Sequence, residues 1–297
     1  MASPAEATEA ATVWQPSQLI SPSTPNLNSS TKPLSIIILN QPLALRPAIY
    51  QAIFSRAKHI IAADGGANRL HHLSQSVFPP SSESLRPTLI IGDLDSLTPF
   101  VRDHYAAKGI EIVEDGDQYS TDFGKAHAWL LAQQESEKGV EKQDIVVLGG
   151  LGGRVDQGLS VLHHLYMFQT AHLYARGKMY LLSSESITFL LKRGHHKIKV
   201  KQDSPFAATL NPSRNDEETE VSWGLGKHVG IIPMREACVI TTRGLEWDVE
   251  DWKTEFGGMM STSNWVREQW VDVETSGDVL FTIDIKVEEG DKEVAGS

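Results

Sequence analysis

Ile36-Ile37-Ile38-Leu39 is an apolar run unbroken by any polar side chain. A half-exposed strand alternates polar and apolar residues. An unbroken run suits a strand buried on both faces, as in a parallel sheet covered by helices. Working outward, the pattern repeats. Residues 47–57 suit a helix, 59–63 a strand, 67–73 a short helix and 88–91 a strand. Thr98, with Pro99 at the first helical position, predicts a capped helix to residue 108. A strand at 111–113, a helix over 121–137 and a strand at 144–148 follow. Val155, Leu159, Leu162 and Tyr166 recur at helical spacing, and 172–174 suits another strand. Strands alternating with helices predict an α/β domain built on a mainly parallel sheet.

Past residue 182 the texture changes. Short β-like runs at 187–191, 196–200, 237–241 and 279–287 are separated by Gly- and Pro-containing turns, which predicts a smaller all-β domain. Residues 1–33, rich in Ala, Ser, Thr and Pro, read as a disordered tail. The expected organisation is therefore a tail (1–33), an α/β domain (34–182), a β domain (183–290) and a flexible C-terminus (291–297). Loops are expected at 74–86 and in the acidic stretch 211–220.

The 297 residues carry a formal net charge of −11, which argues against broad nucleic-acid or anionic-membrane binding. One cysteine, Cys238, excludes an intramolecular disulfide framework and points to a reducing, cytoplasmic setting. No apolar run approaches the ~18 residues of a membrane span. The N-terminus, with Glu6 and Glu9 and no basic residue before Lys32, resembles neither a secretory signal nor an Arg-rich transit peptide.

The sharpest local signal is Ile90-Ile91-Gly92-Asp93-Leu94-Asp95-Ser96. Here an apolar strand ends in glycine and two carboxylates at i and i+2, at the carboxyl end where α/β sheets bind ligands. Hard oxygens there suit Mg²⁺; a turn with a helix cap at Ser96 explains the same residues equally well. In Asp117-Gln118-Tyr119-Ser120-Thr121-Asp122-Phe123-Gly124-Lys125, Thr121 caps a helix whose first turn carries Asp122, with Lys125 on the same face. Those two suit a metal and a phosphate, although an acidic helix start complementing the helix dipole is the simpler explanation in isolation. Phe123, Ala126 and Leu130 form that helix's expected core face.

Gly149-Gly150-Leu151-Gly152-Gly153-Arg154-Val155-Asp156 is a glycine-rich strand-to-helix turn. It permits close backbone approach to a phosphate, and Arg154 supplies a fork of donors. Neither a P-loop motif nor G-x-G-x-x-G occurs. Asp64-Gly65-Gly66-Ala67-Asn68 is a weaker turn of the same kind. Trp247 can stack on a flat ring beside the polar Ser261-Thr262-Ser263-Asn264-Trp265, which otherwise reads as a polar turn. The adjacent pairs His71-His72, His163-His164 and His195-His196 lack metal-ligand spacing and read as surface or core residues.

Taken in order, these motifs, with Leu39-Asn40-Gln41-Pro42 and Gly244-Leu245-Glu246-Trp247, resemble eukaryotic, fungal-like thiamine pyrophosphokinases. The likeness extends from about Leu34 to about Asn264. It implies transfer of a pyrophosphoryl group from ATP to the hydroxyl of thiamine, giving thiamine diphosphate and AMP. It also implies an α/β ATP-binding domain, a β-sandwich domain and a homodimer with its active site at the subunit interface. By motif position, Asp93, Asp95 and Asp122 would be magnesium carboxylates. Asp156 and Arg154 would join them in catalysis. Asp64, Gly65, Gly66, Asn68, Lys125, Gly150 and Gly153 would surround ATP, and Gln118, Trp247, Ser263 and Asn264 would contact thiamine. Tyr119 stands where relatives often carry a further Asp. Two rival readings are a haloacid-dehalogenase-like phosphatase, which also uses Asp-x-Asp after a strand, and a non-catalytic thiamine or nucleotide sensor.

Overall fold

A computed structural model of the chain describes residues 10–21, 32–76, 85–137, 142–170, 174–201 and 224–286. The acidic stretch 211–220 and the C-terminus 291–297 lie outside the described residues, as do residues 1–9, 22–31, most of the expected loop 74–86 and all of the expected strand 172–174 except Tyr174. The chain divides into two compact units, residues 22–190 and residues 1–21 with 191–297.

The expected tail is ordered in part. Thr12–Trp14 forms strand β1 and Pro16–Ile20 helix α1. Both belong to the second unit, where β1 lies parallel to Gly194–Lys199. The physical reason is burial: Trp14 is 0% exposed and its Nε1 donates to His196 Nδ1 at 3.1 Å. A tail reading based on composition passed over Trp14 and the buried Leu19 and Ile20 of α1.

The α/β unit runs β2 (Leu34–Ile38), α2 (Pro47–Phe54), β3 (Ala57–Ala63), α3 (Gly66–Ser76), β4 (Leu89–Gly92), α4 (Pro99–Ala107), β5 (Glu111–Glu114), α5 (Asp122–Ser136), β6 (Asp144–Leu148), α6 (Val155–Phe168), β7 (Met179–Leu182) and β8 (Ser186–Leu191). Its strand order is β8-β7-β6-β2-β3-β4-β5. The pairings from β7 to β5 are parallel, and β8 returns antiparallel. Every residue of β2 is buried, as its unbroken apolar run requires. The chain leaves β2 towards β3 and later returns to β6 on its other side. That reversal opens a crevice at the strands' carboxyl ends, the usual ligand position of such sheets. Phe123, Ala126 and Leu130 face the core as expected. On α6 the buried residues are instead Val161, His164 and Leu165, while Val155 and Leu159 are exposed.

The second unit adds β9 (Gly194–Lys199), β10 (Leu225–Ile232), β11 (Cys238–Arg243), β12 (Trp252–Thr254), β13 (Ser261–Trp265), β14 (Trp270–Thr275) and β15 (Val279–Ile285). One sheet has the order β1-β9-β14-β11-β12, and β10 pairs with both β13 and β15. Alternating burial along β11 (Cys238, Ile240 and Thr242 inward) marks a sheet with one covered face. The polar stretch 261–265 is a strand rather than a turn.

Candidate active site

Three carboxylates from three different segments converge at the carboxyl end of the parallel sheet. Asp64 follows β3, Asp93 follows β4, and Asp122 opens α5. One oxygen from each lies within 4.8 Å of the others. Asp64 is 4% exposed; its Oδ2 accepts the backbone N–H of Ser96 at 3.1 Å, while its buried Oδ1 has no hydrogen-bond partner. Asp122 Oδ1 accepts the N–H of Asp93 at 3.2 Å. Gly92 makes this approach possible: a Cβ there would stand 2.7 Å from Asp64 Cβ and 2.9 Å from Asp122 Oδ1. Asp64 and Leu94 have positive φ (43° and 61°), backbone strain of the kind that clusters at working sites.

The electrostatics follow from burial. Desolvation, then the neighbouring Asp122, raises the carboxyl pKa of Asp64 above its ordinary value. Desolvation and then Asp93 do the same to Asp122, against the pull of Lys125. Mutually repelling oxygens, buried on Asp64 and half-buried on Asp93 and Asp122, with an unpartnered lone pair, fit a hard divalent cation.

The expected site residues sort as follows. Asp93 and Asp122 are brought together, and Asp64, expected beside ATP, joins them. Asp95 does not enter this group: its N–H donates to Asp93 Oδ1 at 3.3 Å and its Oδ1 accepts Ser96 Oγ at 2.9 Å. Asn68 is spent on the turn after Asp95. Its Nδ2 donates to Ser96 O at 2.7 Å, and its Oδ1 accepts both the N–H and the hydroxyl of Thr98. Asn68 thereby anchors Thr98, the residue before α4, whose own side chain makes no cap bond to the helix. Lys125 is buried and donates to Asp115 O at 2.7 Å, with Asp122 Oδ1 at 3.5 Å. It braces the 115–122 loop from beneath.

Gly65 and Gly66 form the turn from β3 into α3, and Gly150 packs on Leu181 and Val161. Gly153 sits at φ +66°, a conformation that strains any side chain, and a Cβ there would displace the Gln41 amide. Arg154 and Asp156, both exposed at the start of α6, form a two-bond pair at 3.1 and 2.5 Å. Gln118 is exposed on a loop folded by two aspartates: Asp115 accepts the N–H of Asp117, and Asp117 accepts the N–H of Tyr119 and the Ser120 hydroxyl. The side chain of Tyr119 is fully exposed.

In the β unit, Trp247 is 57% exposed and tilts against Trp265 at 5.7 Å between ring centroids. Asn264 is buried; its amide brackets the backbone N–H and C=O of Trp247 at 3.1 and 2.9 Å. It holds Trp247 rather than presenting a free amide. Ser263 is exposed at φ +55°. Sequence reasoning passed over Lys227, whose Nζ lies 3.9 Å from the Trp265 ring centroid, and read His164 only as a surface or core residue, whereas its Nε2 lies 2.8 Å from the Thr121 hydroxyl.

A family model described as "Thiamin pyrophosphokinase, catalytic domain" matches residues 50–175, and one described as "Thiamin pyrophosphokinase, vitamin B1 binding domain" matches residues 195–280. Thiamine pyrophosphokinase 1 of Oryza sativa subsp. japonica is 30% identical over 276 residues, covering 90% of this chain and 92% of the relative. The chain belongs to the thiamin pyrophosphokinase family. Members of that family transfer pyrophosphate from ATP to thiamine. Thiamine pyrophosphokinase of Saccharomyces cerevisiae is 26% identical over 298 residues, 86% of each chain. The crystal structure of yeast thiamin pyrophosphokinase superposes with a TM-score of 0.70 at 25% identity, over 97% of this chain and 95% of that one. The enzyme from Candida albicans shares the fold at a TM-score of 0.71 and 23% identity, over 94% and 95%. The phosphatase and sensor readings find no support among these thiamin pyrophosphokinase matches. Among the described residues, no helix is long and apolar enough to cross a membrane.

Proposed function

We propose that this chain makes thiamine diphosphate and AMP from thiamine and ATP, with Asp64, Asp93 and Asp122 as the carboxylates that hold Mg²⁺. The observation that carries the reading is the convergence of those three, with a buried Asp64 oxygen left unpartnered. In the reaction the thiamine hydroxyl oxygen bonds to the β-phosphorus, the bond from that phosphorus to the α–β bridging oxygen breaks, and AMP leaves. Such a transfer needs positioning and charge stabilisation rather than a covalent intermediate. Mg²⁺, when bound, neutralises the phosphate oxygens and so lets an acidic site accept a triphosphate. The glycine-rich turn 149–153 offers backbone at the sheet's reversal point, and Arg154 exchanges its Asp156 partner for phosphate. Asp95 lies outside the carboxylate group and serves the turn that presents Asp93. Gln118 and Trp247 recognise thiamine, by amide hydrogen bonds to the aminopyrimidine and by stacking.

The reading includes a homodimer in which Trp247 of one chain completes the partner's site, as the family resemblance implies. A single buried cysteine supports a reducing, cytosolic setting. The test is AMP release from ATP and thiamine with and without Mg²⁺. Thiamine-dependent AMP formation is expected; phosphate release without thiamine dependence would overturn the reading.

A further inference from the structure

We propose that His164 is a positioning residue for this reaction: through the hydroxyl of Thr121 it fixes the start of α5, and with it the carboxylate of Asp122. The inference rests on the metal reading above and deepens it.

Each proton in the contact can be placed. His164 Nδ1 lies 2.6 Å from the carbonyl oxygen of Ser160. A carbonyl only accepts, so Nδ1 carries the hydrogen. In the neutral ring Nε2 is then an acceptor, and at 2.8 Å it takes the hydroxyl proton of Thr121. The same hydroxyl oxygen accepts the N–H of Gly124 at 3.1 Å, the ordinary N-cap bond of α5. Burial, the largest influence on this ring, lowers its basicity below the ordinary histidine value and favours the neutral form.

An N-cap threonine facing solvent leaves its hydroxyl proton free to rotate. Here that proton is tied to a second helix. His164 itself is 7% exposed and wedged among Phe123, Phe168 and His163, with ring centroids 5.3–5.5 Å away. Asp122 is the next residue after Thr121. Its carboxylate already accepts from Asp93 N and Lys125 Nζ, so a slip of the helix start would draw it out of the three-carboxylate group.

The experiment uses the full chain and two readouts. The first is Mn²⁺ affinity by electron paramagnetic resonance, with α,β-methylene-ATP, which cannot be cleaved at the bond in question. The second is kcat and the KM for thiamine. Thr121→Val removes the hydroxyl at nearly constant shape, His164→Phe removes the acceptor but keeps a ring, and Thr121→Ser keeps the hydroxyl. Loss of one cap-strength bond predicts about five- to tenfold weaker Mn²⁺ binding and a similar fall in kcat for Thr121→Val and His164→Phe. The KM for thiamine should stay within about twofold, Thr121→Ser should match the parent, and the double variant should lose less than the product of the two single losses, since the Thr121–His164 bond is common to both.

Unchanged Mn²⁺ affinity in Thr121→Val and His164→Phe, beside clear weakening in Asp122→Asn, would overturn the inference and leave the metal reading standing. Multiplicative losses in the double variant would also overturn it. If Asp122→Asn binds Mn²⁺ normally, the metal reading fails and this inference falls with it. Should His164→Phe not fold, His164→Asn, which keeps a donor for Ser160 O but is too short to reach the Thr121 hydroxyl, takes its place.

Discussion

The carboxylate of Asp122 accepts the backbone N–H of Asp93 at 3.2 Å, across a sequence separation of 29 residues. One hydrogen bond thus ties the end of β4 to the start of α5 and sets two acidic side chains beside a third, Asp64. Gly92 is what allows the three segments to meet. The site is therefore a property of the sheet's carboxyl edge, not of any one motif.

Carboxylate substitutions should separate the residues inside the group from the one outside it. Asp64→Asn and Asp122→Asn each remove a charge that, on the present reading, holds the metal. Losses on the order of 100-fold or more in kcat/KM are expected, against about tenfold or less for Asp95→Asn. Excess chelator should abolish AMP formation by the parent enzyme. Steady-state kinetics over a Mg²⁺ series checks both statements, and an Asp95→Asn defect as deep as that of Asp122→Asn would contradict the assignment.

Gln118→Ala should raise the KM for thiamine more than that for ATP. The Asp115 and Asp117 turns leave the Gln118 amide exposed on its loop. Losing its hydrogen bonds to a neutral ring should cost about 1–3 kcal/mol. Equal effects on both substrates would instead indicate a role in loop shape.

What the sequence made legible, and what it hid, divides along physical lines. The parallel sheet was readable because β2 is buried on both faces and carries Ile36-Ile37-Ile38 as a signature. Asp93 and Asp122 were readable because they follow a strand and open a helix. The membership of Asp64 rather than Asp95 was not, because an i, i+2 pair shares one side only if the backbone stays extended. Here Leu94 adopts positive φ and turns the pair apart. In the β unit, β10 and β13 were missed for a related reason. Gly226, Lys227, His228 and Gly230 carry little strand propensity, and the Asp284 and Thr282 side chains of β15 fill the space over the two glycines. Ser261-Thr262-Ser263-Asn264 reads as a turn until its pairing with β10 is seen.

Acid stability should depend measurably on His127. Its ring stacks on Phe168 at 3.7 Å, and burial, with Arg176 and His164 nearby, pushes its pKa down to about 4. Between that value and the ordinary 6.5, the unfolded chain binds a proton that the folded chain refuses. Stability from this group is thus intact above about pH 6.5 and is lost as pH falls towards 4, on the order of 3 kcal/mol in total. His127→Phe keeps a flat ring against Phe168 and removes the titration. Urea unfolding at pH 7 and pH 4.5 should show a smaller acid loss in the variant than in the parent; equal losses would mean that His127 is protonated in the folded state.

Mixed dimers test the shared site. Asp93→Ala and Trp247→Ala chains, each inactive alone, are refolded together. If Trp247 serves the partner's carboxylates, a mixed dimer has one site with both defects and one with neither. Half of randomly paired dimers are mixed, so roughly a quarter of parental activity should return. No recovery despite demonstrated subunit exchange would place Trp247 and Asp93 of one chain in the same site.

The N-terminal strand carries the last prediction. Trp14 is wholly buried, donates to His196 Nδ1, and stands in register with Ile198 across a parallel pairing. Its ring also lies 6.2 Å from that of His196. His196 in turn donates from Nε2 to Lys192 O at 2.6 Å, so its Nδ1 is the acceptor that the indole requires. Replacing Trp14 with Ala empties a large core volume and leaves that buried acceptor without its indole donor. A loss of about 3–5 kcal/mol from the β unit is expected. Val13→Ala, one residue away on the exposed side of β1, should change stability by no more than about 0.5 kcal/mol. Guanidinium unfolding followed by tryptophan fluorescence measures both, with far-UV circular dichroism as a second probe because a two-unit chain need not unfold in one step. If Trp14→Ala matches Val13→Ala, β1 is an ornament on the sheet and residues 12–20 belong with the tail after all.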